Sequence, residues 1–400
     1  MGVLFEDDFL DGFGTWPLAY IPYGGPDFGE LSAVAQTVGS GGVEAYYAAW
    51  IAAGDRTVAS AEAANTAGHR HSARELYLRA SAFYGASYHP LYGAPVDPRL
   101  VAAFNKQRQA LDNGLALADP PIRPQSIPFE GRAMPAYLLP AAGFAGVKRP
   151  TIIFTNGYDG TITDMLFASA VAACRRGYHA LLFDGPGQGA MLYESNIPLR
   201  PDWETVVSAV VDFALTLPQI HLEKLIISGW SLGGYLAPRA ASGEHHLAAC
   251  VADPSQWSVV DSFRPLASTM GVAPAANLSD LDDAVLQKLQ GAIDSNRDLR
   301  WKVVLRGFWV NGKANLRDYL VEIERFTMNG RAEAIRCPTL LTAAENDPLA
   351  KGAQTLLDAL KCKKKLVRFT AAEGAGDHCE MMNRSAVNRV ALDWLDAVLI

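Results

Sequence analysis

The segment Gly229-Trp230-Ser231-Leu232-Gly233-Gly234 sets one serine among small residues at the spacing of a sharp strand-to-helix turn. The apolar run from Lys224 to Ser228 precedes it, and a helical pattern from Leu232 to Ser242 follows. Such a turn lifts a hydroxyl above a sheet edge and aims the Leu232 N–H at the oxygen of an incoming carbonyl. A serine hydroxyl is a weak nucleophile at neutral pH and needs a base that is itself held by an acid. The eight histidines are His69, His71, His89, His179, His221, His245, His246 and His378. Only His378 follows the last predicted strand and precedes the last helix, in a glycine-flanked loop from Glu373 to Cys379. His179 reads as a core histidine within a strand, and His245 with His246 as a solvated helix exit. The acid belongs between serine and histidine in chain order, at a strand end. Asp347, just before Pro348, meets that condition, with Glu345 as the second choice. The expected chemistry is attack of Ser231 on a carbonyl carbon, with His378 as general base and Asp347 fixing its tautomer.

A second oxyanion donor is expected from the loop Asn156-Gly157-Tyr158-Asp159-Gly160, with the Tyr158 N–H as first choice and Gly157 beside it. Asp184-Gly185-Pro186-Gly187-Gln188-Gly189 has neither the spacing nor the lysine of a phosphate-binding loop, so it reads as a tight strand-to-helix turn. No cofactor and no metal are expected. Aromatic walls for a substrate are sought in Trp230, Trp257, Trp301, Phe308 and Trp309, and Asp261 is added as a candidate substrate contact.

These residues need a scaffold. Apolar runs at 150–156, 178–183, 224–228, 248–252, 339–343 and 366–370 read as strands buried on both faces. Helical patterns lie between them, at 163–176, 203–217, 232–242, 352–360 and 386–399, which predicts an α/β fold with a mostly parallel sheet covered by helices. From about 256 to 336 no strand is legible. Two amphipathic stripes appear there instead, one through Leu281, Val285, Leu286 and Leu289 and one through Leu316, Tyr319, Leu320, Ile323 and Phe326. A helical insertion there would form a cap over the strand ends or cover a flank.

Upstream, an irregular glycine-rich opening gives way to helices. Tyr46, Tyr47, Trp50 and Ile51 form one stripe, an alanine-rich stretch runs from Val58 to Ala67, and Ala73, Leu76, Tyr77, Ala80 and Tyr84 form another stripe. Prolines 120, 121, 124 and 128 mark a boundary, so the division expected is a helical region over 1–122 and a catalytic domain over 123–400.

Half of the 400 residues are hydrophobic and 19% are charged, which fits a globular chain with a large core. With 35 basic and 42 acidic side chains, the net charge of −7 offers no long-range attraction to nucleic acid or anionic membranes. The five cysteines, Cys174, Cys250, Cys337, Cys362 and Cys379, are widely spaced and suit neither a disulfide framework nor a zinc site. No signal-peptide pattern and no membrane span are legible, so the expected setting is the cytoplasm. The expected partner is a small molecule, with a homodimer left open.

Taken together, the elbow, NGYDG, DGPGQG, ENDP and EGAGDHC resemble the α/β-hydrolases that carry an N-terminal helical domain. That group includes 2,6-dihydroxypseudooxynicotine hydrolase and the fungal polyketide-shortening hydrolases of melanin pathways. The stretch from Trp50 to Tyr84, with SARELYLRAS, is similar to their N-terminal region, so the resemblance spans about residues 45 to 400. It implies the α/β-hydrolase fold with a helical cap, the roles given above for Ser231, His378 and Asp347, and cleavage of a C–C bond beside a ketone or of an ester. Members that cleave C–C bonds are thought to use an additional carboxylate, and Asp253 and Asp261 lie in the corresponding region. Two readings stand beside hydrolysis: an acyltransferase or cyclase using the same three residues, and a ligand-binding module without catalysis.

Overall fold

The computed structural model describes residues 2–273 and 277–399. Eight strands form one sheet: β1 (Gln125–Phe129), β2 (Arg132–Leu139), β3 (Arg149–Thr155), β4 (His179–Phe183), β5 (Ile220–Trp230), β6 (Leu247–Asp253), β7 (Thr339–Ala344) and β8 (Lys364–Phe369). Their spatial order is β1-β2-β4-β3-β5-β6-β7-β8. The pairs β1–β2 and β2–β4 are antiparallel and the other pairings are parallel. Every residue of β4 and β7 is buried, which is why those strands read as unbroken apolar runs rather than alternating ones.

The six expected strands are present. Two more, β1 and β2, are masked in the sequence by Pro128 and Pro135, which lie within them. β1 is the edge strand, where a proline leaves no ladder partner wanting. Glu130 and Gly131, both with positive φ (46° and 76°), make the two-residue turn that joins the pair. Pro128 is therefore part of the sheet and not of the connection leading to it.

The N-terminal opening is also more regular than expected. A helix spans Asp8–Gly14 and a 3-10 helix Trp16–Tyr23. Asp11 accepts the N–H groups of Val3, Leu4 and Phe5, and the buried Tyr20 hydroxyl donates to Asp164 at 2.9 Å. Elements this short are stabilised by tertiary contacts, which leave no periodicity to read. The Tyr46 stripe and the alanine-rich stretch belong to one 24-residue helix, Val43–Thr66. Gly68, at φ 82°, turns the chain into the next helix, Arg70–Ser87.

Between β6 and β7 the chain is helical, with Asp283–Asp294 and Leu316–Glu324 carrying the two stripes. Further helical stretches there carry no legible stripe, among them Arg264–Ser268 and Arg297–Arg300, the latter running into a π-helical stretch, Trp301–Phe308. One apolar cluster joins Leu31, Trp50 and Phe83 from the N-terminal helices, Ile153 and Ile227 from the sheet, and Trp301 and Ile323 from the insertion.

The elbow explains its own composition. A Cβ at Gly229 would stand 2.1 Å from the Gly233 carbonyl oxygen, and one at Gly234 would stand 1.9 Å from that of Pro254. Both obstacles are backbone atoms, so neither can swing away. Gly234→Ala should therefore cost about 2–3 kcal/mol. Gly291→Ala, on a helix with nothing within 4 Å of the added methyl, should be neutral or stabilising by up to about 1 kcal/mol. Urea midpoints of the two variants against the parent protein check the contrast.

Candidate active site

Ser231 sits between the end of β5 and the helix Gly233–Ala241, in left-handed backbone at φ 56°. A non-glycine residue there is strained by roughly 1–3 kcal/mol, so the surroundings must hold it. Its N–H is accepted by Cys379 Sγ at 3.1 Å, and its carbonyl oxygen accepts from Gln256 Nε2 at 2.6 Å. Its Oγ lies 3.0 Å from His378 Nε2. His378 Nδ1 lies 2.7 Å from Asp347 Oδ2. Asp347 follows β7, and its other carboxyl oxygen accepts the Leu349 N–H at 2.9 Å, beyond Pro348. Its side chain is fully enclosed, whereas that of His378 keeps 42% of its surface accessible. Glu345 points elsewhere and accepts the Ala371 N–H.

Burial works against a charge on His378, but the Asp347 carboxylate, bonded to Nδ1, outweighs it and lifts the imidazole above its ordinary pKa. The arrangement can pass a proton from serine to imidazole while the carboxylate stabilises the resulting imidazolium.

The loop after β3 lies directly over this group. A Cβ at Gly157 would be 3.0 Å from Ser231 Oγ and 2.9 Å from the Leu232 nitrogen. Only glycine leaves that space free beside the two atoms. Gln188 Nε2 donates to the carbonyl oxygens of Asn156 (2.8 Å) and Gly157 (3.2 Å). In a trans peptide the N–H points opposite the carbonyl, so this grip directs the Gly157 and Tyr158 N–H groups to the other side. Gln188 comes from the DGPGQG turn, which reads in the sequence only as punctuation. In the same turn Asp184 accepts from Asn156 at 3.1 Å, and burial together with the nearby Asp164 pushes its carboxyl up to about 8.

Behind His378 lies a buried charged cluster, of which the sequence offered only Asp253, as a candidate additional carboxylate. Arg384 pairs with Asp253 and donates to the carbonyl oxygens of Cys379 (2.8 Å) and Ala168 (3.1 Å). It thereby holds the left-handed pair Cys379 (φ 56°) and Glu380 (φ 48°). Burial, and then the Asp253 charge, push Glu380 up to about 11, so it is a neutral acid at pH 7. Arg384 keeps Asp253 ionised against the cost of its burial.

The four candidate substrate contacts separate. Trp230 is buried and its indole N–H meets Asn156 Oδ1 at 3.3 Å. Trp309 is buried between Tyr193 and Tyr92, with ring centroids 5.6 and 5.2 Å away. Trp257 and Asp261 line a different, open cleft of about 440 Å³, in which Asp261 pairs with Arg264 at 3.2 Å. Among the described residues one set of three side chains has metal-ligating types close together, Asp347, His378 and Cys379. Its histidine and aspartate are already bonded to each other.

The sheet, the elbow and the order of the three polar residues define the α/β-hydrolase fold. Residues 152–391 match the profile of the alpha/beta hydrolase family. Hydrolase LUC6 of a Fusarium species is 30% identical over 409 residues, covering 98% of this chain and 96% of that one. The 20-hydroxy-prefusarin hydrolase FUS2 of Gibberella moniliformis is 31% identical, covering 99% and 98%. A solved structure of 2,6-dihydroxy-pseudo-oxynicotine hydrolase shares the fold at TM-score 0.75 and 21% identity, over 96% of this chain and 95% of that one. The chain belongs to the alpha/beta hydrolase family and is a hydrolase.

Two measurements probe the electrostatics. In an NMR titration the His378 midpoint should lie above the ordinary value near 6.5, and Asp347→Asn should lower it. Since Glu380 is already neutral, Glu380→Gln should change stability by less than about 1 kcal/mol, whereas Arg384→Met should cost about 3–5 kcal/mol by stranding Asp253. Denaturant unfolding of both variants at pH 7 decides.

Proposed function

We propose that this hydrolase attacks a carbonyl carbon with Ser231, using His378 as general base and Asp347 as its orienter, and passes through an acyl-enzyme. The observation that carries the reading is the unbroken line from Ser231 Oγ to His378 (3.0 Å) to Asp347 (2.7 Å). The N–H groups of Leu232 and Tyr158 receive the oxyanion. The substrate is a small apolar or aromatic polyketide-like compound, cleaved at a C–C bond beside a ketone or at an ester. Support for that class comes from relatives named as hydrolases over nearly their whole lengths, among them one of 20-hydroxy-prefusarin. The enzyme acts on a small molecule without a cofactor, as a monomer or a homodimer. Its five cysteines are all free, which suits the reducing interior of a cell. Among the described residues no helix is long and apolar enough to cross a membrane.

Ser231→Ala should lower kcat on aryl esters and 1,3-diketones by on the order of 10⁴–10⁶, because the three residues act as a unit. A fluorophosphonate should label the parent protein and not this variant. Retention of more than a tenth of the activity would overturn the assignment. Partitioning of the acyl group to an added alcohol far in excess of water's share, at millimolar alcohol, would make acyl transfer the reaction in place of hydrolysis.

A further inference from the structure

The seam where the insertion meets the loop after β3 holds polar groups that the proposed chemistry leaves unused. Arg306 donates from Nη1 to Asp159 Oδ2 at 2.7 Å, and among the described residues that is its one hydrogen bond. Its guanidinium lies over the rings of Tyr158 (4.7 Å) and Trp301 (5.1 Å) and keeps 18% of the side-chain surface accessible. Tyr158 in turn follows Gly157, which abuts Ser231, and the Asp159 charge is felt at His378. Arg306 therefore stands on the wall of the same site.

Unpaired buried atoms gather along this seam. Arg306 Nε and Trp309 Nε1 are donors without an acceptor, while Asp159 Oδ1 and Asn311 Oδ1 are acceptors without a donor. His89 stands beside them: its Nε2 faces the Asp159 carbonyl oxygen at 3.2 Å, and burial lowers its pKa, which keeps the ring neutral. The groups are connected, since Asn311 Nδ2 donates to the Tyr158 hydroxyl and the Tyr92 hydroxyl to the Asp159 carbonyl oxygen. Native interiors pair nearly all such atoms, so four along one seam set it apart, and Arg306, with part of its side chain accessible, is the member a ligand can reach. Its flanks are aromatic. Its charge is balanced, because Asp159 neutralises Arg306, so the seam suits a neutral oxygen better than a carboxylate or phosphate.

On the reading of Ser231 as nucleophile, we infer that Arg306 is a specificity-determining residue that donates hydrogen bonds to a neutral oxygen (ketone, phenol, enol or ether) on the flat conjugated part of the substrate, beside the carbonyl under attack. An oxygenated ring can lie beside the partly exposed Tyr158 while the remaining N–H groups of the guanidinium meet its oxygen. Specificity of this kind is strong, because a substrate without the oxygen leaves the donors unpaired in a desolvated place.

The test uses 4-nitrophenyl benzoate, its ring-hydroxylated and ring-methoxylated isomers, and a ring-carboxylated one, with active sites counted by fluorophosphonate so that unfolded protein drops out. The parent enzyme should prefer at least one hydroxy or methoxy isomer over the bare benzoate by kcat/KM, and over the carboxylated ester as well. Arg306→Gln should cut the first preference by about tenfold to hundredfold, and Arg306→Lys by less. No preference in the parent enzyme, an unchanged preference in Arg306→Gln, or equal loss on bare and oxygenated esters would each overturn the inference. Failure of the parent protein to be labelled would instead overturn the reading of Ser231, so the two failures are told apart.

Discussion

The left-handed backbone at Ser231 is the constraint on which the rest of the site depends. It ends the β5 ladder, because the residue belongs neither to β5 nor to the helix that follows. Its N–H is met by a side chain from elsewhere, Cys379 beyond β8, and its carbonyl oxygen by Gln256 beyond β6 together with the Gly234 N–H of the helix. The glycines around it yield space to backbone atoms of β3 and of the segment after β6. Strain at one residue is thus balanced by contacts from several distant parts of the chain, which is how such strain persists in native proteins.

The loop over Ser231 is governed in the same distributed way. Gln188 grips its carbonyl oxygens from the core, His89 and Tyr92 reach the Asp159 carbonyl from the N-terminal region, and Arg306 holds the Asp159 side chain from the insertion. The indole N–H of Trp301 then ties the insertion to the His89 carbonyl oxygen. The N-terminal helices are therefore structural partners of this loop and share one apolar core with the sheet.

What was legible in the sequence follows from this. Ser231, Asp347 and His378 stand out because each lies at a junction that local pattern marks: an apolar run before it, and glycine or proline beside it. The six buried strands stand out because burial on both faces writes a continuous apolar run. The hairpin of β1 and β2 was hidden by prolines that an edge position tolerates. Gln188, Gln256, Glu380 and Arg384 were hidden for a different reason. Their importance lies in partners 25 to 216 positions away along the chain, and no window of sequence holds both ends of such a contact. The substrate contacts were legible only by type: Trp309 and Trp257 are both aromatic and both in the insertion, yet they occupy different places.

The π-helical stretch at Trp301–Phe308 gives the insertion an uncommon property. A π turn is an α-helix that has accommodated an extra residue without unwinding, and such turns are frequent at functional sites. Each residue added to or removed from an α-helix rotates everything beyond it by about 100°, given 3.6 residues per turn. A deletion within 301–305 is different: it would close the wide turn into plain α-helix, shift Arg306 within that turn, and leave Trp309 beyond it facing Tyr92 as before. Length, and not only residue type, is thus an inherited variable of this wall. A one-residue deletion there remodels the wall at the wide turn alone, around Arg306, whereas an indel in the flanking α-helix would turn the whole face.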